Sequence, residues 1–183
     1  MIDPVDGLPR ADGIETERLR LSPLVPDDAD ALFPVLDDER LHAFTGGRPD
    51  TIKELHVRFA AWASERSPDG QEAWLNWLVR SADERRILGT LQATVERDHG
   101  DLRAAVAWTI GSAEQGRGIG SEAARAIVGW LVGEGVTTVE AYVHPEHEAS
   151  AGVASNAGLL ATDETVDGEV VWRRSTAPTA DAG

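Results

Sequence analysis

The sequence predicts an α+β domain in which helices are layered on a mixed, mainly antiparallel sheet of about six or seven strands. Three strand-like runs follow one another in the middle of the chain with short turn segments between them, which implies antiparallel neighbours. A glycine-rich turn then leads from the last of these strands into a helix and a further strand, which implies one parallel crossover. The length of 183 residues suits a single domain.

The two ends of the chain have the composition of flexible segments. Residues 1–14 are rich in Asp, Pro and Gly, and residues 176–183 read TAPTADAG. Such ends are poorly ordered unless contacts hold them to the rest of the fold. The sequence therefore predicts a flexible N-terminal arm over 1–14, one domain over 15–175 and a flexible tail over 176–183.

The first part of the predicted domain contains one strand and two helices. Polar and apolar residues alternate over 18–21, as in a half-buried strand. Apolar residues then recur at helical spacing over about 26–38, where Pro34 is expected to kink the helix, and again over about 51–66. The cluster Ser67-Pro68-Asp69-Gly70 predicts the end of the second helix.

The rest of the predicted domain is built around three central strands, over about 73–80, 87–96 and 101–110. A helix ending near Gly133 follows the glycine-rich turn, and a strand over 136–144 follows that helix. A short helix over about 148–156 and a hairpin that turns at Asp167 and Gly168 complete the domain.

Composition and charge exclude several classes of function. The formal charge of −15 argues against a nucleic-acid-binding protein, which needs a basic face, and favours a cationic partner such as an amine. The chain has no cysteine, so disulfides and cysteine nucleophiles are excluded, and its five histidines lack metal-ligand spacing. No apolar run is long enough to span a membrane and no signal-like segment is present, so a cytoplasmic location is expected.

The most informative segment is the glycine-rich turn over 115–120, Gln-Gly-Arg-Gly-Ile-Gly. It lies between the strand-like run AAVAWTI and a helix with apolar residues at helical spacing. The first N–H groups of a helix have no partner within it, and they lie at the positive end of the helix dipole. Glycine also lets the backbone approach a ligand closely. The turn therefore predicts a binding site for a phosphate-bearing cofactor.

Two other phosphate-binding motifs fit this segment less well. A P-loop requires Lys and then Ser or Thr after its last glycine, but Ser121 and Glu122 follow here. A dinucleotide-binding motif, with Glu140 as its acidic residue on the next strand, needs a third glycine where Ser121 stands. It also belongs to a doubly wound sheet, for which this chain has too few strand–helix units. A dinucleotide-binding protein is kept as an alternative.

The motif Gln115-x-x-Gly118-x-Gly120 resembles the signature of the Gcn5-related N-acetyltransferase (GNAT) superfamily. Further segments fit that family's order and resemble its branch of ribosomal-protein alanine N-acetyltransferases: residues 15–21 (ETERLRL), 87–90 (ILGT), 144–150 (HPEHEAS) and 157–159 (AGL). The resemblance covers about residues 15–174. It implies the GNAT fold, in which the two parallel strands splay apart, and an enzyme that transfers an acetyl group from acetyl-CoA to an amine by direct attack on the thioester.

The resemblance also implies which residues hold acetyl-CoA. The pantetheine arm is expected along the strand that ends near residue 110, and the pyrophosphate on the glycine-rich turn. A further contact is expected at the start of the helix over 148–156. By position in these motifs, the expected cofactor-binding residues are Trp108, Thr109, Ile110, Ser112, Gln115, Gly116, Arg117, Gly118, Ile119, Gly120, His147 and Ser150.

The resemblance implies two candidate catalytic residues, Ser150 and Glu164. Many family members protonate the departing thiolate with a Tyr on the helix over 148–156, but Ala154 stands at that position here. Ser150 matches a Ser of the ribosomal-protein branch that could donate to the thioester sulfur; the alternative is a helix-start Ser that bonds the backbone. Glu164 resembles an acidic position proposed as the general base of that branch.

Several other residues leave alternatives open. Glu140, Tyr142 and His144 alternate on one face of a strand, and each could order a water that relays a proton. For Arg117 the alternative to a phosphate contact is a solvated loop position. For His147 the alternative to a cofactor contact is a helix cap.

The sequence therefore predicts an acetyl-CoA-dependent N-acetyltransferase whose acceptor is a small-molecule amine or a peptide N-terminus. The alternative from another class is a protein that binds acyl-CoA without catalysis, as a sensor or interaction module. No nucleic acid, membrane or metal ion is expected as a partner. The identity of the acceptor, the acyl-chain selectivity and the choice between monomer and homodimer stay open.

Overall fold

The structure is a computed structural model that describes residues 7–44, 46–83 and 85–176. In chain order these residues form the strands and helices β1 (Ile14–Glu15), β2 (Leu19–Pro23), α1 (Asp28–Leu36), α2 (Ile52–Trp62), β3 (Glu72–Ser81), β4 (Ile87–Asp98), β5 (Asp101–Ile110), α3 (Ile119–Gly133), β6 (Val136–Val143), α4 (Glu148–Asn156), β7 (Leu160–Val166) and β8 (Glu169–Ser175). Short 3₁₀ helices lie at Glu39–His42 and Ser112–Glu114. The predicted tail after residue 176, and residues 1–6 of the predicted arm, lie outside the described residues.

One sheet contains all the described strands, in the order β1-β2-β3-β4-β5-β6-β8-β7. Only β5 and β6 pair in parallel, and every other neighbouring pair is antiparallel. The predicted α+β class with one crossover is therefore confirmed. The described sheet has eight strands instead of the predicted six or seven, because a two-residue strand such as β1 is too short to show an alternating pattern.

The first two helices are shorter than predicted. α1 begins at Asp28 and ends at Leu36, with Pro34 inside it. α2 begins after Thr51, which forms a capping box with Glu54. It ends at Trp62 instead of residue 66, because the following residues turn back to the sheet, where Arg66 bridges to Ala73. No helix among the described residues is long and apolar enough to cross a bilayer.

Residues 7–13 are held against the sheet, although their composition predicts a flexible arm. Leu8 is buried in the main core with 3% of its surface exposed. The carbonyl of Asp12 accepts a hydrogen bond of 2.8 Å from the indole of Trp77. The arm differs from expectation because a single buried leucine and a few backbone contacts suffice to anchor a polar segment.

The core lies on both faces of the sheet. On one face, α3 buries an apolar stripe at helical spacing that comprises Ala123, Ala124, Ile127, Val128 and Leu131. On the other face, α1 and α2 cover a smaller cluster that includes Leu32, Phe59 and Leu78. Trp77 and Val79, which flank Leu78 on β3, belong instead to the larger cluster beneath α3, because successive side chains of a strand point to opposite faces of the sheet.

The two parallel strands separate at one edge of the sheet. Their pairing covers only Leu102–Ala105 of β5 and 136–140 of β6. Beyond it, residues 106–110 of β5 keep β4 as a partner, while 141–143 of β6 pair with β8. The predicted splay is therefore present, and it leaves backbone groups of β5 without a strand partner on the β6 side.

Candidate active site

A cleft of about 680 Å³ extends from the splay to the space beneath α1 and α2. Its walls are the ends of β5 and β6, the glycine-rich turn, the first turn of α4, and side chains of α1 and α2. Most of the predicted cofactor-binding residues line it: Trp108, Thr109, Ile110, Gln115, Gly116, Gly118, Ile119, Gly120, His147 and Ser150. Ser112 and Arg117 are not among its lining residues.

The glycine-rich turn leaves the start of α3 open to a ligand. Gly118 precedes the helix in the left-handed conformation, with φ of 76°, and no side chain of the described residues caps the helix. The amide of Glu122 bonds the carbonyl of Gly118 at 3.0 Å, so the amides before it have no partner in the helix. A Cβ added at Gly116 would meet open space. These amides and the helix dipole together favour an anion at this point.

Gly120 has a different role from Gly118. A Cβ at Gly120 would lie 3.2 Å from a methyl group of Val153 and 3.5 Å from a side-chain carbon of Ile110. The absence of a side chain here lets α3 pack closely against α4. Gly120 therefore shapes the cleft through helix packing, in addition to presenting its amide.

The side chain of Gln115 holds the end of β5 in place. Its amide nitrogen donates a hydrogen bond of 2.9 Å to the carbonyl of Ile110, at the last residue of the strand. This bond satisfies a carbonyl that the splay would otherwise leave unpaired. Ser112, which does not line the cleft, lies near Asp38, whose pKa is lowered chiefly by Arg40 and also by Ser112.

The charge of Arg117 is matched by a carboxylate. Its guanidinium forms an ion pair with Glu114, which also pairs with Arg86 at 2.8 Å. The carbonyl of Arg117 accepts a bond of 3.1 Å from Arg18, whose Nε lies 2.6 Å from Glu122. The guanidinium of Arg117 is thus held by Glu114 instead of being free for the predicted phosphate contact. Arg18, which sequence reasoning did not single out, stabilises the turn through its bonds to Arg117 and Glu122.

Ser150 is the third residue of α4, and two contacts fix it. Its amide donates to Nδ1 of His147 at 3.4 Å, and its hydroxyl oxygen accepts a bond of 3.1 Å from the indole N–H of Trp108. Because Trp108 is the donor, the hydroxyl proton of Ser150 is free to point elsewhere. A hydroxyl in the first turn of a helix also experiences the positive end of the dipole. Ser150 is therefore prepared to donate a hydrogen bond.

His147 caps α4 and also lines the cleft. Its Nδ1 accepts the Ser150 amide, which requires a neutral ring. Burial, and then the neighbouring His144, lower the pKa of His147 below its ordinary value of 6.5. The ring of Phe44 stacks on it with centroids 4.2 Å apart and planes inclined by 17°. The cap is thus a property of the neutral imidazole, and its second nitrogen stays available to a ligand.

Glu164 is not brought to the cleft. Its carboxylate forms a two-pronged ion pair with Arg173, with distances of 2.8 and 2.7 Å. This guanidinium lowers the pKa of Glu164, which makes the carboxylate a weaker base. The prediction of Glu164 as general base is therefore not supported, because a cross-strand arginine takes up the carboxylate.

Of the three alternating residues on β6 and just after it, Tyr142 combines a place in the cleft wall with a hydrogen bond to a carboxylate. Tyr142 lines the cleft and donates its phenol proton to Glu140 at 3.1 Å. Burial and the Glu140 charge raise the pKa of Tyr142, so the phenol stays protonated. Glu140 is 8% exposed and paired with Arg103 and Arg173, and it is therefore committed to ion pairs.

Sequence reasoning missed the residues that form the far side of the cleft. Phe44 and the α1 and α2 side chains Phe33, Leu36 and Trp62 line it. The helical spacing of Phe33, Leu36 and Trp62 indicated core positions, and nothing in the local pattern shows that such a stripe also borders a cavity. Among the described residues, no group of three His, Asp or Glu side chains is arranged to hold a metal ion.

Solved structures of acetyltransferases share this architecture. They include the ribosomal-protein-S5-alanine acetyltransferase from Vibrio fischeri (TM-score 0.72, 16% identity, 91% of this chain and 98% of that chain covered). They also include the aminoglycoside acetyltransferase AAC(6')-Ib in complex with coenzyme A (0.70, 18%, 86% and 95%). A third is RimL, a ribosomal α-N-protein acetyltransferase in complex with coenzyme A (0.71, 14%, 90% and 98%). At these identities the likeness concerns the fold.

Family membership follows from the sequence itself. No match is found among curated proteins. The family model described as acetyltransferase (GNAT) domain matches residues 18–160, which include the sheet from β2 to the splay, the glycine-rich turn and α4. The chain belongs to the GNAT acetyltransferase family.

Proposed function

We propose that this protein is an acetyl-CoA-dependent N-acetyltransferase that acts on a primary amine. The observation that carries the proposal is the continuity of the splay with the uncapped start of α3 in one cleft. An extended, amide-bearing ligand fits against the free edge of a strand, and a diphosphate fits at the start of a helix. Acetyl-CoA carries both groups in that order.

The residues present fit this cofactor. The amides over 116–121 would hold the pyrophosphate, and residues 107–110 of β5 would bond the pantetheine amides. The acetyl thioester would then lie near Ser150, between the two strands. Structures that share the fold and were solved in complex with coenzyme A support the identity of the cofactor. Gln115 would contribute indirectly, by fixing the end of β5.

The chain also offers what the reaction demands at the thioester. When a neutral amine attacks the carbonyl carbon, the carbon–sulfur bond breaks and the proton lost by the nitrogen finally resides on the sulfur. Ser150 would donate a hydrogen bond to the departing sulfur, because Trp108 already occupies its oxygen as a donor. Direct attack needs no nucleophile from the protein, which agrees with the absence of cysteine.

The amine would approach along the wall of the cleft that β6 forms, where Tyr142 lies. The hydroxyl group of Tyr142 donates its proton to Glu140, so the lone pairs of the Tyr142 oxygen can accept an N–H. The acceptor classes that we propose are a small-molecule amine and a peptide N-terminus. Structural relatives named for aminoglycosides and for ribosomal proteins support these two classes. The assembly would be a monomer or a homodimer.

The test is thiol release from acetyl-CoA with a panel of primary amines, followed by mass spectrometry of the amines. The proposal predicts amine-dependent release of CoA and a gain of one acetyl group. Tight binding of acetyl-CoA with no turnover on any amine would instead favour a sensor. Binding of NAD without binding of CoA would favour the dinucleotide alternative.

A further inference from the structure

One wall of the cleft, beneath α1 and α2, is apolar. We define this apolar wall by four lining residues from α1, the following segment and α2: Phe33, Leu36, Leu41 and Trp62. Phe44 also lines the cleft, but it stacks on His147 and so belongs to the other side. Behind them lie Leu55 and Phe59, each no more than 1% exposed. Phe59 and Trp62 stack with centroids 5.7 Å apart, so the floor behind the wall is firmly packed.

The charges beside the apolar wall are already neutralised. Three arginines border the cleft there, and each has its own carboxylate: Arg40 pairs with Asp38 at 2.7 Å, Arg48 with Glu54 at 2.7 Å and Arg58 with Asp50 at 2.5 Å. The guanidinium of Arg58 also lies over the Trp62 ring, 5.6 Å from its centroid. A ligand cation on this side would meet no unpaired carboxylate among the described residues.

The opposite wall has a different character. It is formed by β6, the first turn of α4 and the start of β8, and it presents Tyr142, Glu148 and Glu169. No cation of the described chain pairs with either of these glutamates, and Tyr142 lines the same wall with its hydroxyl proton donated to Glu140. His144 and His147 border the same wall and donate or accept according to their tautomer. Among the described residues, the cleft carboxylates that are free to attract an ammonium group are thus on this side.

From this asymmetry we infer that the acceptor is a monoamine carried on an apolar body of about the size of an aromatic ring. Its nitrogen faces Tyr142 and the unpaired glutamates, and its body rests on the apolar wall. A polyamine would bring a second charge to the apolar wall, where the neighbouring carboxylates are already paired with arginines and attraction to the aromatic faces only partly offsets the cost of desolvation. This inference rests on the proposed function and names its substrate class.

The inference is tested with the full chain, acetyl-CoA and amines of different bodies. We expect kcat/KM for 2-phenylethylamine to exceed that for putrescine and spermidine by at least about tenfold, the effect of a small apolar group in a matching pocket. Equal or better use of the polyamines would overturn the inference. Calorimetry with CoA separates the two proposals, because retained CoA binding with a polyamine preference contradicts only the substrate class.

A matched pair of variants locates the effect. Phe33→Ala should raise KM for 2-phenylethylamine about tenfold and leave the Kd of CoA unchanged, because it shortens the apolar wall away from the splay. Leu36→Ala gives the same test if the first variant folds poorly. Val57→Ala is the control, since Val57 lies on α2 with 72% of its surface exposed and outside the cleft. An unchanged KM in both wall variants would contradict the placement of the acceptor body.

Discussion

The two halves of the cleft present different kinds of group to a ligand, backbone groups in one half and side chains in the other. The half at the start of α3 is made of backbone: amides of the glycine-rich turn and the free edge of β5. The half beneath α1 and α2 is made of side chains that come from separate segments of the chain. A backbone site depends on a few positions where a side chain cannot be tolerated, whereas a side-chain site can change its selectivity without changing the fold. This division suits an enzyme that keeps one cofactor and varies its acceptor.

The sharpest way to break the backbone half is Gly118→Val. The residue has φ of 76°, which a β-branched side chain adopts only with strain, so the turn must rearrange. Losing two charge-assisted bonds from amides costs about 3–6 kcal/mol, so we expect CoA binding to weaken by at least about a hundredfold in calorimetry.

The matched control is Gly129→Ala, in the middle of the same helix. A Cβ there would meet nothing within 4 Å. Alanine is the better helix former by about 0.5–1 kcal/mol, so this variant should be slightly more stable and bind CoA normally. If Gly118→Val bound CoA as tightly as Gly129→Ala, the turn would not be the diphosphate site.

Ser150 lies where the two halves meet, and Ser150→Ala tests whether its hydroxyl group donates a hydrogen bond to the departing sulfur. We expect kcat to fall by about a hundredfold with the Kd of acetyl-CoA unchanged, because the variant removes a donor to the departing sulfur. Trp108→Phe removes the indole N–H and should lower kcat by about tenfold, since Trp108 acts by orienting Ser150.

Combining these two changes is the decisive comparison. If Trp108 acts through Ser150, the double variant should be no slower than Ser150→Ala alone. Trp74→Phe is the control, because it removes an indole bond to Glu72 and neither residue lines the cleft. Additive losses in the double variant would mean that Trp108 has an independent role in the fold.

A smaller effect concerns the cap of α4. Since the pKa of His147 is lowered in the folded protein, the unfolded chain binds the proton more readily, and stability should fall as the pH drops below 6.5. Asparagine also caps helices but does not titrate in this range, so His147→Asn should flatten the fall of Tm between about pH 6.5 and 5.

The control for this titration is His99→Asn, a change at a side chain with 97% of its surface exposed. It should leave the slope of Tm against pH as in the unchanged protein. A slope that is the same in both variants would show that the cap does not depend on the neutral ring.

The smallest effect is expected for Glu164→Gln. Its carboxylate is bound by Arg173 outside the cleft, and the lowered pKa makes it a poor base. We therefore expect kcat/KM to stay within about twofold of the unchanged protein, measured by thiol release. A loss of a hundredfold would restore Glu164 as the base and would require a rearranged hairpin.

The backbone half was largely predictable from the sequence, and the side-chain half was not. The order of the strands around the crossover, the bounds of α4 and the glycine-rich turn follow from local patterns, because turn residues and periodicity act over short distances. Gln115 was identified by its motif, but its bond to the Ile110 carbonyl became evident only in the folded chain.

What the sequence missed depends on contacts between distant segments. Glu164 was a candidate general base, and the sequence could not show that β8 places Arg173 across from it. Residues 7–13 were predicted to be flexible, and the sequence could not show that Leu8 enters the core. The apolar wall read as ordinary core, since periodicity cannot show which part of a stripe borders a cavity. Such features are fixed by tertiary packing, to which local patterns give no access.

The most direct test of the central claim is the change in backbone amide NMR signals when CoA is added to the full chain. The largest shifts should fall on the amides over 116–121 and on 107–110 of β5, with smaller shifts at the start of α4. The apolar wall should change little until an amine is added. No shifts at the glycine-rich turn, or shifts concentrated elsewhere in the sheet, would contradict the assignment of this cleft to acetyl-CoA.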